Sequence, residues 1–171
     1  DISRQRSREQ ELREQAMRDV LTGIYNKAGE KLIDRMVKEK GQGLFLMLDL
    51  NDFKSINDTM GHAAGDAILK EASERMRSCA GGDNPTARIG GDEFVMFLPG
   101  AFDWQTGKRK IGEIQDSLRT VMITTWGIRG IRASIGAALC PEDGMDYETL
   151  FKAADEAMYL DKEQSKNRNE S

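Results

Sequence analysis

Residues Thr86-Ala-Arg-Ile-Gly-Gly-Asp-Glu-Phe-Val-Met-Phe-Leu98 hold the most telling pattern in this chain. Two apolar, β-prone runs flank a Gly-Gly pair and two acids, as in a β-hairpin whose turn carries carboxylates. Glycine permits positive φ and lets a ligand approach the backbone closely. Adjacent acids at such a tip suit metal ligation or catalysis. The same residues also suit a solvated acidic turn, and the hairpin alone does not choose between them.

Working outward, Leu44-Phe-Leu-Met-Leu48 is a continuous apolar run, the mark of a strand buried on both faces. Ala64, Ala67, Ile68, Ala72 and Met76 recur at helical spacing and predict a helix over 63–78. Further helices are predicted over 27–40, stopping at Gly41, over 106–124 and over 147–162, with a strand over 131–139. Pro141-Glu-Asp-Gly144 reads as a turn. The central order is β-α-β-β-α-β, which predicts an α+β, ferredoxin-like core: an antiparallel sheet with helices on one face, plus extra flanking helices. Polymerase palms and nucleotidyl cyclases use this arrangement, as do many unrelated proteins. Residues 1–18 are polar and helix-prone, with a thin apolar stripe at Leu12, Ala16 and Val20, and read as a connector helix. Residues 19–168 then form one domain and 169–171 a tail.

A chain of 171 residues can bury a sizeable core. The net charge of −4 argues against a non-specific nucleic-acid binder. No apolar run approaches the roughly 18–20 residues of a membrane span, so no membrane contact by this domain is expected. The start is polar, without a visible signal peptide, and begins at Asp1 as a piece of a longer protein would. Cys79 and Cys140 match no zinc spacing and suggest a reducing compartment. His62 is the single histidine, which leaves little material for a histidine-based site.

The first predicted strand ends in Asp49. An acid after five buried apolar residues is costly unless something satisfies it. In the expected sheet the first strand lies beside the hairpin, which can bring Asp49 close to Asp92 and Glu93. Three gathered carboxylates would repel one another without divalent cations. Mg²⁺ suits oxygen ligands shared with phosphates, and two such ions can clamp a phosphoryl transfer. The alternative is surface acids with no ion. Beyond Asp49, Lys54 can hold a phosphate as a point charge. Asn57 and Asp66 together offer an amide and a carboxylate that match the edge of guanine. Taken singly, they suit a loop cap and a first-turn helix acid.

Together these segments resemble the GGDEF-domain diguanylate cyclases, over nearly everything from Asp19 to Arg168. Asp19-Val-Leu-Thr-Gly-Ile-Tyr-Asn26 resembles the family's opening D-x-L-T-G-L-x-N. Asp49-Leu-Asn-Asp-Phe-Lys-Ser-Ile-Asn-Asp-Thr-Met-Gly-His-Ala-Ala-Gly-Asp66 resembles D-x-D-x-F-K-x-I-N-D-x-x-G-H-x-x-G-D. Gly90-Gly-Asp-Glu-Phe94 is the signature. Ser134-Ile-Gly136 and Ala154-Asp-Glu-Ala-Met-Tyr159 resemble the closing segments. Ordered motifs at compatible spacing are far more specific than one glycine motif.

The resemblance implies condensation of two GTP into cyclic di-GMP with loss of two pyrophosphates, across a homodimer in which each protomer holds one GTP. It implies Mg²⁺, with Mn²⁺ as a substitute, at two ions per active site. By position, Asp49 and Asp92 become metal ligands with the Leu50 carbonyl. Glu93 becomes a ligand or the group that activates the 3′-hydroxyl. Asn57 and Asp66 read guanine, with Phe53 beside them. Lys54, Lys162 and Lys166 contact the triphosphate, and Gly90 and Gly91 let the nucleotide approach. It further implies a regulatory input domain before residue 1, in a bacterial cytoplasmic protein or the cytoplasmic part of a membrane-anchored one.

Several positions depart from the pattern. The second acid of D-x-D is Asn51. The closing A-K-x-x-G-R reads Asp161-Lys-Glu-Gln-Ser-Lys166, where Lys lacks the bidentate geometry of Arg. Lys27 stands for the usual Arg. The family's product-inhibition motif R-x-x-D is replaced by Gly81, Gly82, Asp83 and Asn84, so feedback through it is not expected. The competing reading is a non-catalytic GTP-binding or dimerisation module that relays a signal.

Overall fold

The computed structural model describes the backbone of residues 1–170 and side chains as far as residue 164. A four-stranded antiparallel sheet, in the order β2-β3-β1-β6, organises the domain. Its strands are β1 (Gly43–Leu50), β2 (Thr86–Arg88), β3 (Glu93–Pro99) and β6 (Ala133–Cys140). This is the expected ferredoxin-like order, with the first strand in the middle and the hairpin beside it.

The β1 run is buried on both sides because its alternate residues enter two different cores. Leu44, Leu46, Leu48 and Leu50 face α4 (His62–Ala80) and α5 (Trp104–Arg119), the two crossover helices. Phe45 and Met47 face α2 (Gly29–Lys40) and α6 (Tyr147–Glu170). The extra flanking helices expected around the core form this second layer and supply its other half. Each fully buried Leu, Ile or Phe stabilises the fold by about 1.5–3 kcal/mol, so both layers are needed to keep β1 dry.

Other differences are local and have local causes. The segment after β1, for which no element was predicted, forms α3 (Phe53–Met60), entered through Asp52 at φ 59°. The helix predicted over 106–124 starts and stops earlier. Asp103 accepts from the Thr106 N–H while the Thr106 hydroxyl accepts from the Asp103 N–H, a reciprocal cap that sets the start. Beyond Arg119 the β-branched run folds instead into a small hairpin, β4 (Met122–Ile123) and β5 (Ile128–Arg129). α6 runs beyond the predicted end at Lys162. α1 (Ile2–Ala16) buries no residue.

The opening segment closes the sheet's β2 edge. Tyr25 N donates to Thr86 O at 3.1 Å, and Arg88 N donates to Tyr25 O at 2.7 Å. An edge strand that would otherwise leave its amides exposed is thereby paired.

Candidate functional site

β1 delivers Asp49 to the end of the central strand. In register it lies opposite Glu93 of β3 on one side and Ser134 of β6 on the other. Leu50 N donates to Asp92 O at 3.1 Å, which ties the hairpin tip to the strand end. The turn closes through Ile89 N to Glu93 O at 2.9 Å. Neither Gly90 nor Gly91 adopts positive φ, contrary to the expectation for this turn. A Cβ at Gly91 would meet nothing within 4 Å, and one at Gly90 would touch only the Glu93 side chain at 3.4 Å. The turn itself therefore does not demand glycine, and the space beside Gly91 is open.

Asp49 is nearly enclosed. Its Oδ2 accepts from Lys162 of α6, while its Oδ1 is buried without a hydrogen-bond partner. Burial, followed by the neighbouring Asp49 charge, pushes the Asp92 carboxyl up to about 6 from 3.8; Glu93 adds a smaller push. Two acids thus crowd one strand end, and one carboxylate oxygen stands without a partner. That electrostatic deficit fits a hard divalent cation, with Asp49, Asp92 and the Leu50 carbonyl as its natural holders. Among the described residues no three acid, thiol or imidazole side chains converge closely enough to hold an ion alone. Glu93 stands opposite Asp49 in the adjoining strand and adds its charge to the pair.

The remaining predicted residues divide between two places. Lys54 is exposed on α3 and Asp66 exposed on α4. Asn57 lies between them, with its Oδ1 buried and unpartnered. Its room comes from Gly65: a Cβ there would overlap Asn57 Oδ1, approach Asn57 Cγ to 2.9 Å and the Phe53 ring to 3.3 Å. Phe53 packs its ring against the core and forms a wall of that niche. Lys166 lies outside the residues whose side chains are described. Asn51 accepts from the Ser134 hydroxyl at 2.8 Å and so ties β1 to β6. Gly81 and Gly82, where an inhibitory motif would begin, form a loop after α4 with φ of 74° and 52°.

The sequence reads Arg88 as pairing with a nearby acid and shaping the hairpin, without naming that acid. Arg88 Nε donates to Gly91 O at 3.0 Å, and its Nη1 contacts both Asp19 oxygens at 3.3 Å. Asp19 also accepts from Thr22 N at 3.0 Å and from the Thr22 hydroxyl at 2.7 Å. The opening motif is thus a brace for the hairpin.

The antiparallel sheet with its crossover helices has the fold of the nucleotidyl cyclase palm type. The family model described as "Diguanylate cyclase, GGDEF domain" matches residues 16–168, and the chain belongs to that family. It is 33% identical over 165 residues to diguanylate cyclase DgcS of Shewanella oneidensis, covering 92% of this chain and 53% of that protein. It is 35% identical over 164 residues to the bifunctional diguanylate cyclase/cyclic di-GMP phosphodiesterase MucR of Pseudomonas aeruginosa, covering 92% of this chain and 24% of that one. The first curated relatives are longer proteins, of which this chain spans between 21% and 53%. Among solved structures, the coiled coil and GGDEF domain of DgcB from Caulobacter crescentus, in complex with c-di-GMP, superposes with a TM-score of 0.81 at 27% identity, over 95% of this chain and 89% of that one. No helix among the described residues is long and apolar enough to cross a membrane.

Proposed function

We propose that this chain is an active diguanylate cyclase that condenses two GTP into cyclic di-GMP across two facing copies. The observation that carries the reading is the Asp49–Asp92 pair at the end of the central strand, with one oxygen unpartnered and one carboxyl pushed up to about 6. Asp49, Asp92 and the Leu50 carbonyl would hold Mg²⁺, or Mn²⁺ in its place. When bound, the ions supply charge that stabilises the phosphoryl oxygens and lowers the pKa of the attacking hydroxyl.

The chain's own residues do the rest. Asn57 and Asp66 present acceptor and donor atoms to the guanine edge, on the platform of Gly65 and Phe53. Lys54, Lys162 and Lys166 neutralise the triphosphate. Gly90 and Gly91 leave the tip bare for the nucleotide. Glu93 accepts the proton of the 3′-hydroxyl as that oxygen bonds to the α-phosphorus of the second GTP. The bond from that phosphorus to the bridging oxygen breaks, and pyrophosphate leaves. A second, symmetric transfer closes the ring. Orientation of the two nucleotides supplies much of the rate. Each chain brings one half-site, so catalysis requires a homodimer, set by α1 and an input domain before it.

Incubation at high protein concentration with GTP and Mg²⁺, read by mass spectrometry, tests this. Cyclic di-GMP from the wild type and none from Asp92→Ala/Glu93→Ala is the expected result. A forced dimer that binds GTP with Mg²⁺ yet makes no product would establish the non-catalytic module instead.

A further inference from the structure

Two rows of side chains end in opposite charges at the same level of the fold. On β1 the row is Phe45, Met47 and then Asp49; on α6 it is Leu150, Ala154, Met158 and then Lys162, each four residues apart. The apolar members pack together, and the charged members pair. What sets the height of α6 over the sheet is Gly136 of β6. It lies opposite Met47 in register, and Ser134, two residues before it, lies opposite Asp49. A Cβ at Gly136 would overlap both Ala154 O and Met158 N, and would stand 2.9 Å from Met158 Cα. The helix backbone therefore rests directly on the strand backbone. Met158 is one helical turn before Lys162, so any lift at this contact reaches the lysine with little loss.

We propose that Gly136 is a positioning residue: it seats α6 against β6 at backbone contact and thereby delivers the Lys162 ammonium to Asp49. The obstructing atoms are backbone atoms of α6, which no rotamer change can clear. A helix displaced outward carries the Lys162 stem away from the strand end. A buried Asp49 without that partner would be left more costly than before. The assignment of Lys162 to the triphosphate rests on the functional reading above; the seating of Lys162 on Asp49 does not.

The test uses amine acylation by an N-hydroxysuccinimide ester on the ligand-free protein, read by mass spectrometry. Lys70, exposed on α4, is the internal reference. An ion-paired amine should react about fivefold more slowly than an open one. Wild-type Lys162 is expected to show that protection, and Gly136→Ala to abolish it. Should Gly136→Ala not fold, Ala154→Val wedges the same fully buried contact from the helix side and is expected to act the same way. Leu150→Ala weakens the far end of α6 without a wedge, and protection should survive it. Unchanged protection in the wedged variants, or equal loss in Leu150→Ala, overturns the proposal. A second readout is GTP affinity with Mg²⁺. Gly136→Ala and Lys162→Gln should weaken it to a similar degree, and the double variant no further than Lys162→Gln. Losses that multiply would show that Gly136 acts by another route. Wild-type protein that binds no GTP would overturn the functional reading, while acylation still decides the positioning one.

Discussion

Replacing Arg88 by Ala tests whether the hairpin tip is held by a brace rather than by its own turn. Arg88 and Asp19 are only 20% and 19% exposed, so solvent screens the pair weakly. The lost bond to Gly91 O, 3.0 Å long, is charge-assisted and contributes about 1–2 kcal/mol. The forked contact to Asp19 lies at 3.3 Å, near the long edge of useful geometry, and adds about 1 kcal/mol. Asp19 keeps both bonds from Thr22, so no orphaned carboxylate enlarges the cost. The total is about 2–3 kcal/mol, or a fall in Tm of about 5–10 °C for a domain of this size. Thermal unfolding followed by circular dichroism reads it directly. A double-mutant cycle with Asp19→Asn should return a coupling of about 1 kcal/mol. A Tm within about 1 °C of wild type, or strict additivity in the cycle, would refute the brace. Because the same tip carries Asp92 and Glu93, nucleotide binding should weaken alongside stability.

Gly65→Ala places a methyl group into the space held by Asn57 Oδ1 and against the Phe53 ring, so GTP affinity should fall by at least about tenfold while the helix-favouring Ala limits the loss of stability; an unchanged affinity in calorimetry would remove Asn57 from guanine recognition. The pH response follows from Asp92. Its folded pKa is raised from 3.8 to about 6, so its contribution to the stability of the ligand-free protein is full below about 4 and is lost as pH rises through about 6. Protons compete with a cation for the same group, and Mn²⁺ affinity, measured by electron paramagnetic resonance, should rise through that window and level off above about pH 7; a flat profile would show that Asp92 does not bind the ion.

The hairpin and the central strand were legible because their signals are local. An acid pair between two β-prone runs and a continuous apolar strand ending in Asp49 require no knowledge of distant residues. The same holds for the order of elements, which led to the β2-β3-β1-β6 sheet. The second helical layer was less visible. Amphipathic patterns in α2 and α6 say that each buries a face but not which side of the sheet receives it. α3 was overlooked because eight residues with a polar majority carry little periodic signal.

Within the candidate site, sequence alone named Asp49, Asp92, Glu93, Asn57, Asp66, Lys54 and Lys162, because ordered motifs preserve residue identity at set spacing. It did not show that Lys162 sits on Asp49, since 113 residues separate them. Nor did it show why Gly65 and Gly136 are glycines. Both lie in buried positions where Ala would be the better former of structure, and only the approach of Asn57 and of the α6 backbone explains the missing Cβ. The sequence by itself determined which chemical groups are present and which strand carries them. Only the tertiary structure decided which groups meet, because burial, pairing and steric exclusion belong to surfaces brought together from distant parts of the chain.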